Sequence, residues 1–432
     1  MIADSMKSNL PYLNPKWIDR QALQIVSSLQ QAGYETYVVG GCVRDLLLGI
    51  QPKDFDIVTE AKPSEIVKVV PRAYIIGKRF RLVLCRRQAE QYEIATFRKN
   101  LTSSTSSESN EDDGWTKEEK LDGQHLPDAD NEFGTPEEDA LRRDFTINGL
   151  FYDPVKDKLI DFSNGMNDLN ARSIRMIGDP DVRLVEDPIR ILRGLRLAHK
   201  IGFTLEPDLE LSMRTKANHL VETVLPRRRE EFLKFLRLPD PSMVFLKSFD
   251  LDVFKYSAPT LHSYLERPES DVFFKRLREL HASGVDKNDA SQLFGMLMWC
   301  FVRAFLSPDP DAPLKARQLE ANPDLLEIMS NELGLFKAEQ ALFMRAIQMQ
   351  TTLKKTNDFQ NKGERRRFSV VRSDYFPMGL IIAARDRSVP LEDLIYWQGQ
   401  FEEFLPKLVE EDRERASRQR RRRPRKARIK GM

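Results

Sequence analysis

The run YVVGGCVRDLLLGIQPKDFDIVT, residues 37–59, limits what this chain can fold into more than any other stretch. Apolar Tyr37, Val38 and Val39 predict a short strand that ends at Gly40-Gly41. A glycine pair can turn tightly and lets a backbone come close to an anion, because no Cβ stands in the way. Residues 43–48 then predict a short helix closed by Gly49, and residues 55–59 a second strand. Asp54 and Asp56 flank Phe55. Side chains alternate along a strand, so the two carboxylates share one face and Phe55 takes the other. The unit reads as strand, turn, helix and strand, with two acids on one rigid edge beside the turn.

That arrangement has a chemistry. Mg2+ (or Mn2+) prefers oxygen ligands and commonly takes one or two carboxylates together with substrate phosphates. Two such ions activate an attacking hydroxyl and stabilise the leaving oxygen. The alternative for an isolated Asp-x-Asp is a pair of surface acids, but here Gly40, Gly41 and Arg44 precede it. Arg44 is expected near a triphosphate and Asp45 in a structural role. A third carboxylate is usual in such sites. Glu93, in YEIATF, and Asp144, in RRDFTIN, are the candidates. In the 142–148 run, Arg143 can grip phosphate, and Asp144 and Asn148 can bond a ribose or a metal-bound water; Asn148 also suits a turn.

Further along, EDPIRILRGLRLA begins a helix with Asp187 as cap and Pro188 in its first turn. Ile191, Leu192, Leu195 and Ala198 share one face, while Arg190, Arg193 and Arg196 form a drifting stripe on another. Such a stripe is either a solvated face or, against a nucleotide, a set of base and phosphate contacts. Asp187 can likewise cap the helix or read a base edge. The PRRREE run at 226–231 supplies ion-pair partners that would orient this helix.

The wider pattern is an α+β head, a mixed sheet with helices, followed by all-α regions. Helical periodicity marks 16–32, 63–70, 185–203, 229–238, 288–306, 324–351 and 391–409; strands are expected at 81–87 and 92–98. The expected domains are an N-terminal helical segment (1–34), the head (35–165), a helical nucleotide- and RNA-binding neck (166–245), a helical body and C-terminal RNA-binding region (246–410), and a basic disordered tail (411–432). Residues 101–132, poor in apolar and rich in acidic and serine residues, read as a flexible insertion. Residues 418–430 carry nine Lys or Arg and no acid, although the whole chain has a net charge of only +2. Arg420, Arg421, Arg422, Arg423, Arg425, Lys426 and Arg428 therefore suit a salt-sensitive, sequence-independent RNA contact.

Other function classes find little support. The three cysteines, Cys42, Cys85 and Cys300, have no metal-ligand spacing and suit a reducing cytoplasm. No apolar run approaches the ~20 residues of a spanning helix. The five histidines are scattered, without a hydrolase or metal arrangement.

As an ordered set, VVGGCVRDLLLG, DFDIVT, RRDFTINGL and VEDPIRILRGLRLA resemble the class II nucleotidyltransferases, which comprise bacterial poly(A) polymerases and tRNA CCA-adding enzymes. GKRFRLVL, EIATFR, NEFGTPEEDALRRD, the Arg-rich end and the helix holding Trp397 and Phe401 resemble the bacterial poly(A) polymerase I branch more. The resemblance implies that Asp54 and Asp56 bind the catalytic metals. It implies that Asp144 belongs to the active site and that Asp187 and Arg190 contact the incoming base. Gly149 and Gly194 stand where the family usually has Ala, and Arg196-Leu197 where Arg-Phe is common. The implied activity is template-independent addition of AMP from ATP to RNA 3′ ends with release of pyrophosphate. The alternatives are CCA addition to tRNA and, in another class, a non-catalytic RNA-binding protein.

Overall fold

The computed structural model describes residues 13, 15–76, 82–87, 90–99, 133–309, 312–361 and 363–422. The acidic stretch 101–132 and basic residues 423–432, including Arg423, Arg425, Lys426 and Arg428, lie outside the described residues. The chain packs into two units, Met1–Arg190 with Ile201–Met213, and Ile191–Lys200 with Arg214–Met432.

In the first unit, helix Arg20–Gln31 starts at Asp19, whose carboxylate accepts from the backbone N–H groups of Gln21 and Ala22 at 2.8 and 2.9 Å. Ala22, Ile25, Val26 and Leu29 are its buried stripe. The strands are β1 (Thr36–Val39), β2 (Asp56–Thr59), β3 (Ala73–Ile76), β4 (Leu82–Arg87), β5 (Glu90–Thr96), β6 (Leu150–Asp153) and β7 (Lys158–Asp161). They form one mixed sheet in the order β3-β4-β5-β2-β1-β6-β7. Only β2 and β5 pair in parallel among these neighbours. Every residue of β1 and β6 is buried, and Tyr37, Val39, Val58, Phe97, Ala140 and Phe151 form a core on the sheet. This is the mixed α+β head that the sequence implies. Strands β3, β6 and β7 are not among the strands expected from the sequence. At Gly149 an added Cβ would lie 2.5 Å from Ser163 Oγ. That departure from the usual Ala is thus set by tight packing against Ser163.

The second unit is helical. Its main helices are Leu225–Leu236, Pro241–Asp250, Ala290–Phe301, Lys337–Leu353, Phe376–Asp386 and Leu391–Arg422. Phe232, Phe235, Phe245, Phe254 and Phe273 are fully buried in its core. A buried ion pair is also present: Arg303 donates to both oxygens of Asp386 at 2.9 and 2.8 Å, and Trp299 Nε1 donates to the same acid at 2.8 Å. The helix expected over 324–351 is divided into Pro323–Glu327, Ile328–Glu332 and Lys337–Leu353. Gly334, at φ 71°, takes the left-handed turn between the last two. Trp397 is buried and donates to Leu353 O at 3.0 Å.

The last helix runs to Arg422, so residues 411–422, expected within a disordered tail, continue it. Their sequence, EDRERASRQRRR, lacks Gly and Pro, and its Glu and Arg are good helix formers. Among the described residues no helix is long and apolar enough to cross a membrane. Cys42, Cys85 and Cys300 are free and buried.

Candidate active site

Strand register brings the acids together. In the antiparallel pair β1–β2, Asp56 lies opposite Val39, one residue before the glycine turn. In the parallel pair β2–β5, Asp56 aligns with Glu93. Asp54 immediately precedes β2, which starts at Asp56 rather than Phe55. The expected alternation holds nonetheless: Asp54 and Asp56 are exposed and Phe55 is buried. The carboxylate of Asp56 reaches solvent, yet the protein around it raises its pKa; Arg143 draws it back and Asp54 pushes it further up. Glu93 is raised in the same way, by its surroundings first and then by Asp56 and Asp54. Three acids thus bear on one another with a single arginine as counter-charge among the influences on Asp56.

This donor set fits a divalent cation. The ligands are hard oxygens, and their mutual repulsion is what a bound cation would reverse. Among the described residues no group of three or more His, Cys, Asp or Glu stands where it could hold a metal ion, so protein ligands here number two at most. An ion that completes its shell with water and substrate phosphate needs no more.

Gly40 joins the acids to the next layer. Its φ of 78° and ψ of −135° suit glycine alone, and its N–H donates to Leu150 O. A Cβ built there would lie 3.1 Å from Arg143 Nη1, 3.8 Å from Asp56 Oδ2 and 3.9 Å from Asn148 O. Gly40, Asp56, Arg143 and Asn148 therefore converge on one spot. Gly41 is the first residue of helix Gly41–Leu47 and lies against the Arg44 guanidinium. Arg143 is fixed by Asp139, which accepts from its Nη2 at 2.9 Å and from Arg142 Nε at 2.8 Å. The Arg143 guanidinium also sits 5.3 Å over the Phe151 ring. Asp139 is fully buried. Sequence reasoning passed over it, because an acid in a helix reads as a solvent face.

Arg44, expected near a triphosphate, is 3% exposed, donates through Nε to Asp45 at 2.9 Å, and donates through Nη1 to Asn148 Oδ1. Protein partners hold it inside, where it orients Asn148. Sequence cannot tell whether an Arg beside an Asp points inward.

Asp144 belongs to a neighbouring cluster. Arg190 Nε donates to Asp144 Oδ1 at 2.8 Å, and Arg190 Nη1 donates to Arg183 O and Glu186 Oε2 at 2.6 and 3.2 Å. Buried Arg183 donates from Nη2 to the carbonyls of Arg142 and Arg143 at 2.7 and 3.1 Å and from Nη1 to Glu186 at 2.9 Å. The 142–144 turn is thereby strapped to helix Pro180–Glu186 and the start of helix Ile189–Ile201. Asp187 lies between those helices, half-buried, and its carbonyl accepts from Arg190 N. Nothing in the sequence pattern singled out Arg183.

Arg193 and Arg196 belong to the second unit, where both face Glu231 of the PRRREE run at 4.0 and 2.7 Å. Burial alone would raise Glu231, but Arg196 and Lys234 overcome it and hold the carboxyl below its usual range. The expected ion-pair partner of the arginine stripe is therefore present. Arg420, Arg421 and Arg422 close the last helix, with only their backbone described.

Comparison with known proteins adds lineage to this geometry. Residues 36–175 match the Poly A polymerase head domain, and residues 202–265 match the probable RNA and SrmB-binding site of polymerase A. The chain is 31% identical to poly(A) polymerase I of Escherichia coli O6:H1, over 96% of this chain and 90% of that protein. The chain belongs to the class II nucleotidyltransferase family. Membership makes it a nucleotidyltransferase, and both branches of the family are represented among its relatives. Poly(A) polymerase I of Haemophilus influenzae is 36% identical over 75% of this chain and 67% of that protein. A CCA-adding enzyme of Ligilactobacillus salivarius is 33% identical over 57% of this chain and 56% of that protein. The solved CCA-adding enzyme of Bacillus stearothermophilus in complex with CTP shares the fold, with a TM-score of 0.51 and 22% identity, covering 92% of this chain and 98% of that one.

Proposed function

We propose that this nucleotidyltransferase adds AMP from ATP to RNA 3′ ends without a template and releases pyrophosphate. The observation that carries the chemistry is the juxtaposition of Asp54, Asp56 and Glu93 with Arg143 across Gly40. Asp54 and Asp56 would hold Mg2+ or Mn2+, and Glu93, aligned with Asp56 on the next strand, is the candidate third carboxylate. When bound, the ions supply activation of the RNA 3′-hydroxyl and charge stabilisation at the α-phosphate and leaving pyrophosphate. Gly40 leaves room for a phosphate, and Arg143, braced by Asp139, meets its charge. Asn148, oriented by Arg44, is placed to bond the ribose, and Gly41 keeps that arginine close. Asp144 and Arg190 brace each other at the edge of the base site with Asp187, while Arg193 and Arg196, expected to bind nucleotide, are taken up by Glu231 and position their helix. Nothing in the scheme requires a covalent intermediate; positioning and electrostatics do the work.

The poly(A) branch is supported by the reach of the sequence alignments: the E. coli poly(A) polymerase I aligns along 96% of the chain, the L. salivarius CCA-adding enzyme along 57%. The fold itself, shared with a CCA-adding enzyme over 92% of the chain, does not separate the branches. In this reading the head at 35–165 carries the chemistry. The neck (166–245) binds nucleotide and RNA, the body (246–410) binds RNA, and the basic end from 411 adds sequence-independent affinity. Three free, buried cysteines agree with a reducing cytoplasm. Incubating the full chain with a short RNA and each single nucleotide tests the assignment. A long ladder with ATP alone is expected. Growth that needs CTP first and stops after CCA would assign the chain to the other branch. RNA binding without incorporation would make it a non-catalytic binder, a reading the intact acids oppose.

A further inference from the structure

A recess with an arginine-bearing wall lies in the helical unit, and none of the residues placed in the active site lines it. Its volume is about 800 Å³, and Leu342, Arg345, Arg365, Ser369, Arg372 and Tyr375 line it. The sequence accounts for this lining. In helix Glu364–Val371, Arg365 and Ser369 are one turn apart, and Arg372 follows at the C-cap, so the three share a face. Phe368 turns inward to the core that holds Trp397 and Phe404. Arg345 comes from helix Lys337–Leu353 on the opposite wall.

The charges are unbalanced. Arg345 and Arg365 are exposed and engage no acid among the described residues. Arg372 pairs with Glu411 at 2.8 Å and remains 45% exposed. Asp374 is the one acid among the lining residues. Tyr375, half-buried, packs against the core that holds Trp397 and Phe404 and also lines the recess with the arginines. Two free guanidiniums, a third partly exposed one and an aromatic face are the combination that holds single-stranded nucleic acid. The cations follow the phosphates, and the ring stacks on a base of any identity.

We propose that this recess is a second RNA site, which takes a single-stranded phosphodiester segment through Arg345, Arg365 and Arg372 and stacks one base on Tyr375. The inference rests on RNA as the substrate, as proposed above. The site contributes affinity and not chemistry, since the carboxylates belong to the other unit.

The test uses the full chain and fluorescently labelled single-stranded oligoadenylate of about 15 nucleotides, without divalent cation, so that binding is read apart from extension. Arg345→Glu with Arg365→Glu should weaken binding at least tenfold and flatten the salt dependence by about 0.7 per lost phosphate contact. In extension assays the same variant should raise KM for RNA and leave kcat and KM for ATP unchanged. Tyr375→Ala should weaken binding roughly five- to a hundredfold with the salt slope unaltered. Lys315→Glu with Arg317→Glu, at exposed positions outside the recess, matches the change in net charge, and thermal melts identify any variant that fails to fold. The milder Arg345→Ala with Arg365→Ala stands in if the reversal unfolds the unit. Unchanged affinity and salt slope, or a loss equal to that of Lys315→Glu with Arg317→Glu, would overturn the site while leaving the polymerase reading intact. A wild-type chain that binds oligoadenylate through these residues but extends no RNA would overturn the polymerase reading and leave the site standing.

Discussion

Asp56 and Glu231 are both acids enclosed by protein, and their environments drive them in opposite directions. Glu231 has Arg196 at 2.7 Å and Lys234 at 3.0 Å, which hold it charged against its burial. Asp56 has Asp54 beside it and Glu93 aligned with it, and Arg143, which outweighs Asp54, does not overcome the burial that raises the carboxyl. The first arrangement is satisfied by the fold. The second keeps acids together without a matching set of cations, and on the proposed function a divalent cation would complete it. That contrast separates a structural ion pair from a site more sharply than residue type does, since both clusters are built from the same acids and arginines.

The contrast breaks most visibly at the acids. Asp54→Ala with Asp56→Ala should lower nucleotide incorporation by at least about 10³-fold while RNA binding persists, as a filter-binding assay would read. Activity within tenfold of wild type would remove the site assignment. Next in size, Asp139→Asn loosens Arg143 and should cost about 10–100-fold in kcat/KM for ATP, by analogy with lost support of a site residue. An unaltered kcat/KM would mean that Arg143 needs no brace.

Stability should separate the two acids by sign. Glu231→Ala leaves Arg196 and Lys234 without their partner, and denaturant unfolding should show a loss of about 1–2 kcal/mol. Asp56→Asn removes a charge that the surrounding protein disfavours and should raise Tm without added cation, while incorporation should be lost. A fall in Tm there would mean that Asp56 is already satisfied. The pH dependence follows the same signs. The depressed Glu231 contributes stability that is present above its unfolded pKa and is lost as pH falls through its lower folded value. Asp56 and Glu93 are raised, so their contribution is complete below the unfolded pKa and is lost as pH rises through the folded one. Incorporation, which needs them ionised, should therefore begin to fall at a higher pH than an ordinary carboxylate would cause.

Much of this was legible in the residues. The glycine turn, the alternation across Phe55 and the helical second half follow from local pattern, and each stands in the structure. The partner of the arginine stripe was legible because PRRREE puts acids beside arginines in a helix. What escaped depends on long-range pairing. The register of Asp56 with Glu93 is set by a parallel pairing across more than thirty intervening positions, which no local period encodes. Asp139 and Arg183 act from the interior, where composition makes an ion look like surface. Arg44 lies inward for a similar reason: its choice of Asp45 and Asn148 is made by the turn at 146–148.

The most direct measurement is calorimetric titration of Mn2+ into the full chain in the presence of a non-reactive ATP analogue, compared with Asp54→Ala plus Asp56→Ala. The account predicts saturable Mn2+ binding by the wild type and its loss in the double variant, with the melting profile retained. Equal Mn2+ binding by both proteins would contradict it.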